Sequence, residues 1–222
     1  FKAAYPKTEL LMGASTAKLF PYKHSIAAQP IGNENDTYYE SYNSSLLIDI
    51  KKQHEFIHKS KLVLGVEKIP FSEIFPFLES LAIENGGTTG TLGIEDEPKI
   101  FHGRYNYAPI ICYESIYGEF VAKQCKKGAN LLCIITNDGW WKDTPGYKQH
   151  FSFASLRAIE NRKWVVRSAN TGKSGLIDPS GRIVKETGGW QEDVFRCSVP
   201  ISNEMTFYTL HGDYLGRGFL SL

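Results

Sequence analysis

Eight short apolar, β-rich runs set between Gly, Pro and Asn residues constrain this chain's fold more than any other feature. They are ELLMGAS (9–15), NSSLLIDI (43–50), KLVLG (61–65), YAPIICY (107–113), NLLCIITN (130–137), KWVVRSAN (163–170), GLIDPSGRIV (175–184) and VFRCSVP (194–200). Runs of this length and apolarity read as strands, several of them covered on both faces. Helices must then supply part of the cover. YKQHFSFASLRAIENRK (147–163) spaces Phe151, Ala154, Leu156, Ala158 and Ile159 on a broad apolar face. IYGEFVAKQCKKGAN (116–130) ends in Gly128 after two lysines, as a helix C-terminus prefers. FSEIFPFLESLAIENG (71–86) has Ser72 as a candidate cap, with Pro76 limiting it. The pattern predicts an α/β or α+β layered fold in one domain over residues 1–222, with no repeat, low-complexity segment or linker.

Composition excludes several function classes. With 25 basic and 24 acidic residues the formal charge is +1, so no basic footprint for nucleic acid is present. The four cysteines, Cys112, Cys125, Cys133 and Cys197, form no C-x-x-C pair and are too sparse for a disulfide scaffold. No run of about 18 apolar residues appears, and FKAAYPKTELLMG lacks the pattern of a signal peptide. A core strand beginning almost at once and an apolar GRGFLSL at the end suggest a piece of a longer protein.

Three clusters carry candidate chemistry. The stretch His54-Glu55-Phe56-Ile57-His58 matches the H-E-x-x-H zinc spacing. Its context reads as a strand, where histidines four residues apart lie roughly 13 Å from one another at about 3.3 Å per residue. Two Zn–N bonds of about 2 Å cannot span that gap, so we expect exposed histidines on one strand face and no metal. In YAPIICYESIYGEF, Cys112 stands where the apolar run ends, the place for a nucleophile elbow, although a free cysteine is commonly a small buried hydrophobe. Cys125, Cys133 and Cys197 read as structural. The third cluster, TNDGWW and the helix after it, places Asn137, Asp138, Trp140 and Trp141 in a loop at a strand end and His150 on the helix. A Cys112/His150 dyad and a purely packing His150 both fit that spacing.

Taken together and in order, HKSKLVLGVEKIP, APIICYESIYGE, TNDGWW, QHFSFASLRAIENRKWVVRSANTGKSGLIDPSGRI and TFYTLHGDYLGR resemble the carbon–nitrogen hydrolase (nitrilase) superfamily. Within it they are most similar to the extracytoplasmic domain of the apolipoprotein N-acyltransferase branch. The resemblance implies an αββα sandwich, here truncated at its N-terminal edge, and no cofactor. It implies a Glu-Lys-Cys catalytic set with Cys112 as nucleophile, Lys59 as the lysine, Glu67 as a supporting acid, and Tyr113, Glu114 and Trp140 shaping the site. Lys61 is a rival for the lysine role. The family's general-base glutamate, in a PE motif after an upstream strand, has no counterpart here, and Glu9 is not assigned to it. Leu64, Gly65 and Val66 also depart from the family's usual Pro-Phe-Gly. The implied reaction moves a fatty acyl chain from a phospholipid donor, through a cysteine thioester, to the N-terminal amine of an apolipoprotein acceptor. It would run at the bacterial inner membrane with this domain on the periplasmic side, anchored by segments absent from this chain. A soluble amidase or nitrilase with the same residues, and a non-catalytic module lacking its base, are the alternatives.

Overall fold

The computed structural model describes residues 3–32, 37–51, 53–64, 66–68 and 91–220. Two β-sheets form its framework. The smaller contains β1 (Leu10–Phe20), β2 (Gln29–Pro30), β3 (Tyr38–Ile48) and β4 (His54–His58), with β3 flanked by β1 on one side and by β2 and β4 on the other, all antiparallel. The larger has the order β10-β9-β8-β7-β6-β5, built from β5 (Phe101–His102), β6 (Asn106–Ile111), β7 (Leu131–Thr136), β8 (Val165–Ala169), β9 (Gly175–Ile177) and β10 (Ile183–Glu186). Its central strands β6, β7 and β8 are parallel, and the outer pairings are antiparallel.

The apolar runs at β6 and β7 are continuous because both faces are covered. On one face, α1 (Gly118–Lys126) and α2 (Pro145–Asn161) bury Phe120, Val121, Phe151, Ala154 and Ala158 against Ala108, Ile110, Leu132 and Ile134. On the other, Leu47 and Ile57 of the small sheet meet Phe101, with Leu11 and Tyr107 packed beside them. At one crossing of the sheets a Cβ on Gly13 would lie 3.1 Å from Ile135 Cγ2, so glycine lets β1 lie close on β7. Two short helices, α3 (Phe207–His211) and α4 (Tyr214–Leu220), follow, α3 packing on α1 and α2.

Several sequence expectations change here. The described residues of KLVLG, 61–64, form no strand: the chain leaves the sheet after Lys59, and Leu64, 69% exposed, makes an isolated bridge to Lys68. VFRCSVP is irregular, with Val194 90% exposed. β-Propensity alone does not make a strand without a partner edge and a face to bury. The helix expected over 71–86 lies outside the described residues. The H-E-x-x-H segment is a strand as expected, but His58 is buried rather than exposed: Ser44 Oγ lies 2.8 Å from its Nδ1, and Tyr42 stacks on its ring at 4.3 Å.

Candidate active site

Lys59 is the first residue beyond β4, and its N–H still donates to the Asn43 carbonyl at 2.8 Å. It therefore continues the ladder in which Ser44 faces His58, and cross-strand neighbours share a face. Asn43 and Lys59 use that face to hold the same carboxylate. Lys59 Nζ donates to both oxygens of Glu67, at 2.8 and 2.7 Å, and Asn43 Nδ2 donates to Oε1 at 2.5 Å. The Glu67 N–H donates to the Val63 carbonyl at 2.9 Å, and the Glu67 Oε2 accepts the Val63 N–H at 2.8 Å. Lys59 and Glu67 are both fully buried, so each charge depends on the other.

Cys112 directly follows β6 and opens a 3-10 turn, Cys112–Ile116, with φ 53, in the left-handed region that non-glycine residues rarely occupy. Beneath it, buried Glu114 ties this elbow to the lysine segment. Its Oε1 accepts the Ser60 N–H at 2.6 Å and the Lys61 N–H at 3.3 Å, and its Oε2 accepts the Ile111 N–H at 2.8 Å. Burial pushes the Glu114 carboxyl up to about 7, against the pull of the Ile111 and Ser60 N–H groups and the Lys59 charge.

That shift has a sign. The folded-state value lies above the unfolded one, so Glu114's stabilising contribution is complete below about pH 4.5 and is lost as pH rises to about 7. Glu114→Gln removes the titration. Relative to the wild type, the variant is expected to gain about 3 kcal/mol between pH 4.5 and 7.5, as read by urea unfolding at the two values. A gap independent of pH would show that Glu114 keeps an ordinary carboxyl in the fold.

A cleft of about 610 Å³ opens between the two sheets at the carboxyl ends of β6, β7 and β8, the usual place for ligands in parallel sheets. It is lined by Cys112, Lys59, Glu67 and Asn43, with Trp140, 39% exposed, and Met12 of β1 among the apolar walls. Among the described lining residues Glu67 is the single carboxylate, and its oxygens are committed to Lys59, Asn43 and Val63. A thiol that lines the same cleft as a buried ammonium suits nucleophilic attack on a carbonyl whose oxygen becomes an anion.

Of the expected site residues, the structure thus brings Cys112, Lys59, Glu67 and Trp140 to one cleft, with Glu114 under its floor. Tyr113 does not line it; its ring packs edge-on to Tyr117 at 5.6 Å. Lys61 is exposed and points to the Tyr117 ring at 5.8 Å, so Lys59 is the lysine at the cleft. Glu9 accepts the Arg104 N–H at 2.7 Å and the Tyr107 hydroxyl at 2.5 Å, and does not line the cleft.

The Cys112/His150 dyad does not form: His150 Nε2 meets the Cys112 main-chain carbonyl at 3.1 Å. Sequence reading missed Asn43, and it missed the pairing of Asp138 with His150 and Arg167. The available signal for the latter was an arginine within an apolar strand and an aspartate just after another, since buried charges require partners.

Comparisons with known proteins bear on the family and the fold. Residues 16–203 match the carbon-nitrogen hydrolase family. The chain is 38% identical over 181 residues to a protein named apolipoprotein N-acyltransferase from Chlorobaculum tepidum, covering 79% of this chain and 34% of that protein. It is 37% identical over 150 residues to the one from Pseudomonas aeruginosa, covering 68% and 29%. The chain therefore spans about a third of the length of these relatives. Among solved structures, an amidase from Nesterenkonia sp. aligns with TM-score 0.53 and 15% identity over 97% of this chain and 68% of that one. Saccharomyces cerevisiae Nit3, of the nitrilase superfamily, aligns with TM-score 0.51 and 21% identity over 69% and 51%. The fold is the nitrilase-like α/β sandwich, of which the described residues supply both sheets and the helices on the larger one. From the family match over most of its length and the shared fold, this chain belongs to the carbon–nitrogen hydrolase family.

Proposed function

We propose that this chain is the acyl-transfer domain of an apolipoprotein N-acyltransferase, with Cys112 as nucleophile, Lys59 as oxyanion partner and Glu67 as the residue that holds Lys59. The observation carrying this reading is the single cleft in which Cys112 faces the buried Lys59–Glu67 pair, in a chain 38% identical to a protein of that name.

The first half-reaction joins Cys112 Sγ, as thiolate, to the ester carbonyl carbon of a phospholipid. The ester C–O bond then breaks, the lysophospholipid oxygen takes up a proton, and a thioester remains. In the second, the free α-amino nitrogen of a diacylglyceryl-modified N-terminal cysteine attacks that carbonyl. The C–S bond breaks, the amine loses a proton and the sulfur is released. Both steps pass through a tetrahedral oxyanion, where a fixed ammonium in a dry site contributes most. Asn43 and Glu67 fix Lys59, Glu114 fixes the spacing between Lys59 and Cys112, and Trp140 forms a rim for an apolar chain.

Among the described residues no helix is long and apolar enough to cross a membrane. In this reading the remaining two thirds of such a protein carry the anchor, placing the domain on the periplasmic side of a bacterial inner membrane.

The test uses the full-length protein in vesicles of acyl-labelled phospholipid with a diacylglyceryl peptide. Label is expected in an amide on the peptide's N-terminus, and none when that amine is acetylated beforehand. Acceptor-independent release of free fatty acid, or hydrolysis of small amides alone, would favour the amidase reading.

A further inference from the structure

We propose that His150 is a positioning residue for the nucleophile, acting through the main-chain carbonyl of Cys112. The inference deepens the reading above and rests on Cys112 being the nucleophile.

The left-handed backbone at Cys112 sets where its sulfur points, and a residue with a Cβ holds that conformation only when its surroundings over-determine it. Two side chains converge on its carbonyl oxygen. Ser115 Oγ lies at 2.9 Å and His150 Nε2 at 3.1 Å, and the two lie 3.0 Å from each other. Ser115 belongs to the same turn, but His150 comes from α2 and brings an external anchor.

The other ring nitrogen, Nδ1, lies 2.9 Å from Asp138 Oδ1. Asp138 is fully buried at the end of β7, accepts the Thr136 hydroxyl at 3.0 Å, and takes Arg167 Nη2 from β8 on its second oxygen at 2.8 Å. Burial pushes the Asp138 carboxyl up, but the His150 hydrogen bond and the Arg167 charge outweigh it and hold it below the ordinary range. Arg167 in turn donates to the Lys173 carbonyl and lies over the Phe151 ring at 5.3 Å.

This contact chain has a direction. An ionised carboxylate only accepts, so Nδ1, which also has Arg167 Nη2 at 3.3 Å, donates to Asp138 at the shorter distance, and Nε2 faces the elbow. The Cys112 carbonyl also only accepts. Ser115 Oγ–H donates to that oxygen, and a hydrogen on Nε2 is shared between the carbonyl at 3.1 Å and Ser115 Oγ at 3.0 Å. The carboxyl ends of β7 and β8 thereby brace the turn after β6, and the sulfur keeps one approach to the cleft it shares with Lys59. His150 itself does not line the cleft.

A group that aims the nucleophile without touching substrate alters the rate of acylation and leaves substrate binding alone. The experiment is single-turnover acylation of the full-length protein in phospholipid vesicles without acceptor, followed by intact mass. His150→Leu is expected to slow thioester formation roughly 10- to 100-fold, with the phospholipid concentration giving half-maximal rate unchanged. His150→Gln, which returns a donor near the Nε2 position, is expected to recover most of the rate. Equal loss in Leu and Gln variants, or a Leu variant that melts earlier but acylates normally, would overturn the proposal. Should the Leu variant not fold, Ser115→Ala carries the test: removing the second donor is expected to slow acylation several-fold at unchanged half-maximal concentration, and an unchanged rate would overturn it. Failure of the underlying reading is separate, because it would show as turnover surviving in Cys112→Ser.

Discussion

Replacing Lys59 with methionine is expected to lower acyl transfer by the full-length protein at least 10²- to 10³-fold and to destabilise the fold by about 3–5 kcal/mol. The two losses have one cause. Lys59 places its ammonium 2.8 and 2.7 Å from the two Glu67 oxygens with both side chains out of water. Methionine fills the space but leaves Glu67 ionised and buried with Asn43 and the Val63 N–H as its remaining partners. The double variant Lys59→Met/Glu67→Leu separates the effects. Replacing both members of a buried pair by apolar residues is often neutral or stabilising, so urea unfolding should return toward the wild type while activity stays lost. Lys61→Met, at an exposed lysine outside the cleft, should change turnover no more than a few-fold. A Lys59→Met protein with normal turnover would contradict the assignment.

Cys112→Ala has the largest expected effect on rate and a small one on stability. Loss of a covalent nucleophile costs on the order of 10⁴ to 10⁶ in turnover, whereas a half-buried cleft-lining thiol contributes under about 1 kcal/mol to folding. Cys133 and Cys125 supply the contrast. Both are enclosed in the layers around the large sheet, and burial pushes each thiol up to about 12, leaving them protonated and shielded. Iodoacetamide should therefore label Cys112 and the exposed Cys197 in the native protein, reach the other two after unfolding, and abolish turnover through Cys112 alone.

The parts of the fold legible in the sequence were those in which burial is imposed on a whole run. β6 and β7 carry apolar runs, Ala108–Ile111 and Leu131–Ile135, because helices cover one face of the large sheet and the small sheet the other, and α2 carries its periodic face for the same reason. KLVLG and VFRCSVP have the composition of strands, but the described residues of neither pair with a sheet. The Val66 and Glu67 N–H groups instead donate to the Val63 carbonyl, which brings Glu67 within reach of Lys59.

The candidate site was legible to the extent that it follows local order: Cys112 at a strand end, and Lys59 and Glu67 eight residues apart in a recognisable motif. Asn43 and the Asp138–His150–Arg167 contacts were hidden because their partners lie 12 to 29 residues apart and meet only through sheet register and helix packing. His58 shows the same effect in reverse. A polar strand residue that reads as exposed becomes buried when Ser44 and Tyr42 across the ladder offer it a hydrogen bond and a ring.

The central claim is that Cys112 carries the acyl group between donor and acceptor. Full-length protein incubated with phospholipid vesicles and no acceptor, then digested and weighed, should show one fatty acyl increment on the peptide containing Cys112. That increment should be released by neutral hydroxylamine, discharged to a diacylglyceryl peptide amine, and absent in Cys112→Ala. An acyl group on any other residue, or continued N-acylation by Cys112→Ala, would contradict the account.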